Sequence, residues 1–124
     1  MSVTVVDHPL AGHLLTALRD ETTPPPLFRT LAKRLALALV LEAIRDLPTR
    51  EVSVRTPLAT TRGVALDDLV VVPILRAGLG MLEATLELFP EVAVGYLGLE
   101  RDEASLHAAS YYRKLPPVAG RHVL

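Results

Sequence analysis

Hydrophobic positions near the start of the chain recur at helical spacing. Leucines at positions 10, 14, 15 and 18 would share one face of an α-helix, and the proline-rich cluster at residues 22–26 ends that pattern. A second helix is predicted from about Pro26 to Asp46, because Pro48 disfavours helical geometry at the residue before it. Between residues 35 and 44 this helix is apolar on nearly every side, which is typical of a helix buried all round. In so small a chain, that favours a covering partner, most simply a second copy of the protein.

From Glu51 onward the pattern changes to that of strands. Val52, Val54 and Leu58 alternate with polar residues or proline, which predicts a half-buried strand, and Pro57 confines it to a sheet edge or a strand end. Residues 69–75 are apolar on both faces, as in a parallel sheet covered by helices.

A third helix and a further strand follow. Residues 81–89 predict a helix ended by Pro90, and residues 92–99 predict a second strand that is apolar on both faces. Gly95 and Gly98 within that strand indicate close approaches of the backbone. Strand, helix and strand form a right-handed βαβ unit, so the predicted fold class is α/β.

The remainder of the chain is polar and irregular until its last residues. Residues 101–118, called the arm below, predict an extended segment or hairpin on the surface. Residues 121–124 resemble the start of another apolar strand. We therefore expect a single, incomplete domain over residues 1–124, with N-terminal helices in 1–48 and the strands and βαβ unit in 51–100.

Composition excludes several classes of function. The 124 residues are 50% hydrophobic, which allows one folded domain and excludes disorder. With 13 Lys plus Arg against 14 Asp plus Glu, nothing in the overall charge favours a nucleic acid or an anionic membrane. The chain has no cysteine, which excludes disulfides, iron–sulfur clusters and thiol nucleophiles. No apolar run approaches the roughly 20 residues of a membrane span, and we expect a cytoplasmic protein.

The strongest candidate site is the turn that follows the first apolar strand. Ligands of open α/β sheets bind beyond the carboxyl ends of the strands. The turn is the segment Arg76, Ala77, Gly78, Leu79, Gly80. Its glycines allow an anion to approach the backbone closely, and the next helix offers the partial positive charge of its amino end. Arg76 adds a guanidinium group. This predicts a phosphate or pyrophosphate cradle; a tight turn with a surface arginine is an equally good interpretation of the residues alone. A dinucleotide fingerprint would need glycine at Glu83, and no P-loop motif is present.

Arg101 is the second candidate. It ends the next apolar strand, so in a parallel sheet it would share an edge with Arg76, and two arginines there could clamp a diphosphate. Its acidic neighbours could equally hold it in a solvated charge cluster. Other polar residues give weaker signals: the four histidines lack metal-ligand spacing, and Tyr111 and Tyr112 could either reach over a ligand or anchor the arm. Solvated or turn positions are expected for Glu83, Glu87, Asp67 and Asp68.

Five segments in order resemble the uracil phosphoribosyltransferase family. Residues 72–81 carry the likeness, and four further segments match at the family's spacing: 28–29, 54–58, 94–102 and 111–116. The resemblance implies a type I phosphoribosyltransferase fold and the reaction of uracil with phosphoribosyl pyrophosphate to give UMP and pyrophosphate. It also implies Mg²⁺ as cofactor, a possible GTP effector, a homodimer, and a mobile arm over the site.

The resemblance also implies the binding residues. Phosphoribosyl pyrophosphate would contact Arg76 and Arg101, together with Ala77 and Gly78 of the turn. No residue is assigned a catalytic role or a metal-ligand role. The family's ribose 5-phosphate loop follows the strand that begins here at His122, and its uracil-binding segment comes later. We therefore expect this chain to carry only the pyrophosphate side of the site and to be inactive alone.

Two other functions stay open on the sequence. The fold also serves nucleotide-binding regulators, and the chain would alternatively be an inactive fragment that dimerises through its apolar helix. An RNA-binding regulator is disfavoured, because aromatic residues make up only 4% of the chain and its charge is balanced.

Overall fold

The computed structural model of the chain describes residues 3–103 and 105–124. Helices α1 (Pro9–Leu18), α2 (Pro25–Ala43) and α3 (Leu79–Leu88) pack together, with α2 in contact with both others. The strands of the described residues are β1 (Thr49–Arg55), β2 (Thr60–Leu66), β3 (Leu69–Val71), β4 (Ile74–Leu75), β5 (Ala93–Val94), β6 (Tyr96–Arg101), β7 (Ala108–Lys114) and β8 (His122–Val123).

The two N-terminal helices form where the leucine pattern predicts them. Helix α1 begins at Pro9, and the Nδ1 atom of His8 caps it by accepting a hydrogen bond from the Leu10 N–H at 3.1 Å. Helix α2 ends at Ala43, three residues earlier than predicted, because Ile44 leaves the helix and residues 44–46 form a turn. The prediction of a helix extending to Asp46 was therefore wrong by one turn.

The apolar half of α2 is covered on one side only. Ala36 and Val40 are buried, whereas Leu39 is 40% exposed and Leu41 is 56% exposed. The single chain therefore leaves part of this helix uncovered, and the expected covering partner stays a prediction. Since α1 and α3 occupy only part of the circumference of α2, they leave these leucines open.

Two parallel ladders form the centre of the molecule. Strand β3 lies between β5 and β8 in one ladder, and β4 pairs with β6 in the other. The β3–β5 and β4–β6 pairs both belong to the βαβ unit whose helix is α3. The strand predicted over residues 69–75 is divided at Pro73, which has no N–H to donate to a ladder. Backbone hydrogen bonds bridge the division, from the Gly95 N–H to Val71 O at 2.9 Å and from the Leu97 N–H to Pro73 O at 3.3 Å. The predicted α/β class and βαβ unit are confirmed.

Strands β1 and β2 form an antiparallel hairpin in register from Thr49 with Leu66 to Arg55 with Thr60. The second of these strands was not predicted. Leu58 is 98% exposed and lies in the connecting turn, so the prediction that placed it on a half-buried strand was wrong. The chain reverses there because the Thr56 hydroxyl donates to Ala59 O at 2.7 Å and accepts from the Ala59 N–H at 3.1 Å.

The arm folds back on β6, as the hairpin alternative predicted. Strand β7 pairs antiparallel with β6, from Lys114 opposite Tyr96 to Ala108 opposite Arg101, and every residue of β7 is exposed. The apolar strand expected to begin at residues 121–124 is β8. Directly after it, the Leu124 N–H donates to Val70 O at 2.9 Å. Strand β8 runs parallel to β3.

The central core joins the sheet to α3. Leu69 and Val71 of β3 pack with Leu82 of α3, and partly buried residues such as Phe89 and Val94 surround them. Burial of each such side chain stabilises the fold by about 1.5–3 kcal/mol, and it fixes where α3 begins relative to β4. Within residues 3–103 and 105–124, no helix combines the length and the apolar character needed to cross a bilayer.

Substituting Gly95 tests how the arm is attached to the sheet. A Cβ added at Gly95 would lie 2.8 Å from Leu115 Cδ2 and 2.9 Å from Pro116 Cδ. Gly95→Ala should therefore lower the free energy of unfolding by about 1–3 kcal/mol, measured by urea denaturation. The matched control is Gly12→Ala in α1, where nothing lies within 4 Å; it should raise stability by roughly 0.5–1 kcal/mol. Unchanged stability of Gly95→Ala would contradict the close packing.

Candidate functional site

The candidate site is the turn that joins β4 to α3. The chain leaves β4 at Leu75, passes through Arg76 and Ala77, and enters α3 after Gly78. The Gly78 N–H donates to Ile74 O at 2.8 Å, which closes the turn. A Cβ at Gly78 would lie 2.7 Å from that oxygen and 2.8 Å from Ile74 N, so only glycine fits here without a shift of the backbone. The Leu75–Arg76 peptide bond is cis.

Positive charge is concentrated on the outside of this turn. Arg76 and Ala77 are exposed, and no side chain caps the amino end of α3. The helix dipole adds partial positive charge at that end, close to the Arg76 guanidinium. Arg76 and the amino end of α3 are thus neighbours in one turn, an arrangement suited to an anion, and the phosphate cradle stays a prediction.

A cavity of about 810 Å³ lies inside the turn. Arg76, Ala77 and Gly78 form part of its wall, and the rest is largely apolar, with residues from α2, α3 and the central strands, among them Leu39, Val40, Ile74, Met81, Leu82 and Leu124. Glu42 and Asp46 also line it. The cavity is therefore positive only at the turn.

Glu42 keeps its charge at the cavity wall. The Arg45 guanidinium donates to the Glu42 carboxylate, with an Nε–Oε2 distance of 3.0 Å, and this hydrogen bond lowers the pKa of Glu42. Arg45 offsets the charge of that carboxylate, and the largely apolar remainder of the wall gives an anion no donor to replace its hydration. An anion would accordingly bind at the turn and not on the cavity floor.

Arg101 lies on the strand beside the turn. It is the last residue of β6. The register pairs Leu75 of β4 with Gly98 of β6, and the two strands are parallel. Arg76 and Arg101 therefore both come after the paired segment, at the carboxyl end of their strands. The strand pairing thus puts both arginines at the same edge of the sheet. Arg101 does not line the cavity and is exposed. The binding roles of Arg76, Arg101, Ala77 and Gly78 stay predictions.

The other polar residues lie elsewhere. Asp67 and Asp68 precede β3 at the amino end of the sheet, where Asp68 pairs with Arg121. Glu87 pairs with Lys33 across α2 and α3 at 2.6 Å, and its hydrogen bond raises the pKa of Lys33. In the described part of the chain, no group of three or more His, Asp or Glu residues is arranged to hold a metal ion.

Sequence reasoning missed one contact at the site. A Cβ added at Gly98 would lie 2.7 Å from two ring atoms of Tyr111, so the Tyr111 ring lies directly over that glycine. The glycine indicated a close approach of the backbone, and Tyr111 and Tyr112 were expected either to reach over a ligand or to anchor the arm. Only the strand register shows that the two features belong together.

Comparison with known proteins identifies the family of the chain. The family model described as uracil phosphoribosyltransferase matches residues 5–124. The chain belongs to the uracil phosphoribosyltransferase family. The family predicted from the five sequence segments is therefore confirmed.

Relatives in this family share about half of their aligned residues with the chain. A uracil phosphoribosyltransferase of Kocuria rhizophila is 48% identical, in an alignment that covers 99% of this chain and 60% of the relative. One of Renibacterium salmoninarum is 49% identical over the same shares. The chain thus spans about 60% of the length of these relatives.

A solved structure has the same fold. The AQ2163 protein from Aquifex aeolicus superposes with a TM-score of 0.90 at 37% identity, covering 98% of this chain and 60% of that one. The predicted phosphoribosyltransferase-type architecture, a parallel sheet with N-terminal helices, is confirmed.

Substituting Gly78 tests whether the turn is as tight as described. Gly78→Ala should lower the melting temperature, because the new methyl group would press on the backbone of Ile74. Gly80→Ala, two residues along in α3, meets nothing within 4 Å and should melt at or above the temperature of the parent chain. Equal melting of the two variants would show that the turn has room for a side chain.

Proposed function

We propose that this chain forms the pyrophosphate-binding part of a uracil phosphoribosyltransferase, in which uracil and phosphoribosyl pyrophosphate give UMP and pyrophosphate. The observation that carries the proposal is the position of Arg76 in a glycine turn, at the amino end of α3 and one strand from Arg101. Family membership supports the same reaction class.

The proposed chemistry follows from where charge develops. As the bond at the anomeric carbon of the ribose breaks, negative charge grows on the departing pyrophosphate and positive charge on the sugar. Guanidinium groups of Arg76 and Arg101 donate charge-assisted hydrogen bonds to the pyrophosphate, and the partial positive charge at the start of α3 adds to them. These donors are held by strands and a helix, so they need little reorganisation during the reaction.

Magnesium does not fit as an ion held by this chain alone. The described residues contain no cluster of three or more candidate ligands, and the carboxylates that line the cavity behind the turn are Glu42 and Asp46, among largely apolar neighbours. We propose Mg²⁺ as a counterion that arrives with the pyrophosphate oxygens, which is common for this ion. No step of the reaction is assigned to it here.

A homodimer is part of the proposal. Leu41 of α2 is 56% exposed and offers apolar surface that a second copy would cover, whereas Leu39, two residues earlier, lines the cavity on another side of the helix. The GTP effector and the cytoplasmic location stay predictions from the sequence.

Removing Arg76 tests the binding role directly. Arg76→Ala should weaken binding of magnesium pyrophosphate by about 1.5–3 kcal/mol, the value of hydrogen bonds to a charged group, measured by isothermal titration calorimetry. Arg62→Ala on β2 removes an exposed arginine of equal charge and should leave the affinity unchanged.

The same titrations separate the alternative functions. A regulator would bind a nucleoside monophosphate or triphosphate more tightly than pyrophosphate. An inactive dimerising fragment would bind neither and would still self-associate in sedimentation. Equal affinity of Arg76→Ala and the parent chain would remove Arg76 from the site.

A fusion tests the complete reaction. The C-terminal portion of the Kocuria rhizophila relative, beginning just after the residue aligned with Leu124, should confer UMP synthesis from labelled uracil when joined after Leu124. The same fusion carrying Arg76→Ala is the control and should lose most of that activity. A folded fusion that makes no UMP would contradict the proposed uracil phosphoribosyltransferase function.

A further inference from the structure

A β-bulge lies beside the candidate site. Gly98 pairs with Tyr112 and Leu99 pairs with Ser110, so Tyr111 is the extra residue between two successive pairs of the β6–β7 hairpin. Such a bulge redirects the side chain of the extra residue. Here it turns the Tyr111 ring onto Gly98.

The ring and the glycine are closely fitted. Two ring atoms of Tyr111, Cε2 and Cζ, would each lie 2.7 Å from a Cβ at Gly98. Gly98 is buried, whereas Tyr111 is 51% exposed. The ring therefore covers the glycine and leaves its own outer side in solvent, as aromatic residues do when they protect a strand glycine.

This contact is adjacent to the turn that holds Arg76. Strands β4 and β6 share only two residue pairs, Ile74 with Leu97 and Leu75 with Gly98. Gly98 has no side chain to shield the second pair from water, and Leu75 is the last residue before Arg76. The Tyr111 ring supplies the missing cover at the point where the chain leaves the sheet.

We propose that Tyr111 is a positioning residue for the site: by packing on Gly98 it holds the end of β4 and thereby the orientation of Arg76. This role rests on the proposed function, but it concerns a residue that touches no substrate in that function. It predicts that loss of the ring loosens residues 74–78 and weakens pyrophosphate binding, whereas loss of the hydroxyl alone does neither.

The test measures two properties of the full chain, its affinity for magnesium pyrophosphate and amide hydrogen exchange at residues 74–78. Tyr111→Ala should bind about fivefold more weakly, the range of couplings between contacting residues, and should exchange faster at those amides. Tyr111→Phe should match the parent chain in both. Tyr112→Ala removes an equivalent ring one residue along and should leave both properties unchanged.

A second substitution makes the test specific for the contact. Gly98→Ala should also weaken binding, because its methyl group would press on the Tyr111 ring at 2.7 Å and on Tyr112 Cβ at 2.8 Å. In the double variant the clash with the ring is gone and only the clash with Tyr112 Cβ remains, so the two effects should sum to less than their separate values. Strict additivity of the two effects would overturn the proposal.

Failures of the two proposals are distinguishable. Parent-like affinity and exchange in Tyr111→Ala, with binding lost in Arg76→Ala, would overturn the positioning role and leave the proposed function. If the parent chain does not bind pyrophosphate, the proposed function is overturned. If, in addition, amide hydrogen exchange at residues 74–78 is unchanged in Tyr111→Ala, the positioning role is overturned as well. If amide hydrogen exchange in Tyr111→Ala becomes faster evenly over β3, β6 and β8, the ring has a general structural role, and the positioning role is overturned.

Discussion

The parallel pairing of β4 with β6 is the contact on which the site depends. Parallel strands require a crossover, and here the crossover contains α3, whose amino end must then lie at the carboxyl end of β4. The same pairing directs β6 to this edge, with Arg101 as its last residue. One constraint of topology therefore brings together a glycine turn, a helix terminus and two arginines that are 25 positions apart in the sequence.

The surroundings of the turn divide into two chemical zones. The outer zone has the Arg76 guanidinium and the uncapped end of α3, which favour an anion. The inner zone is the apolar cavity, with Glu42 ionised at its wall. Because an anion gains nothing by moving inward, the geometry separates the place for a pyrophosphate from the hydrophobic interior.

Much of this arrangement was predictable from local pattern. Three local patterns place an element within a few residues: the leucine spacing of α1, the apolar runs of the central strands, and Pro90 after α3. The glycine turn also indicated Arg76 as a candidate binding residue. The β2 strand was missed because its residues, including Thr60, Thr61 and Arg62, have little hydrophobic alternation and find their partner only in β1. The division of two strands at Pro73 and Gly95 depends on long-range hydrogen bonds. The cover of Gly98 by Tyr111 depends on a bulge, which no local pattern encodes.

The packing of Leu115 and Pro116 on Gly95 has a mechanical consequence. It fixes the segment that leaves β7 to the sheet at the level where β6 begins, and pairing with β4 fixes β6 as far as Gly98. From Leu99 to Arg101, about 10 Å of strand, β6 pairs with β7 alone in the described part of the chain. The support of Arg101 is therefore the hairpin itself, whereas Arg76 is anchored between a strand of the sheet and a helix.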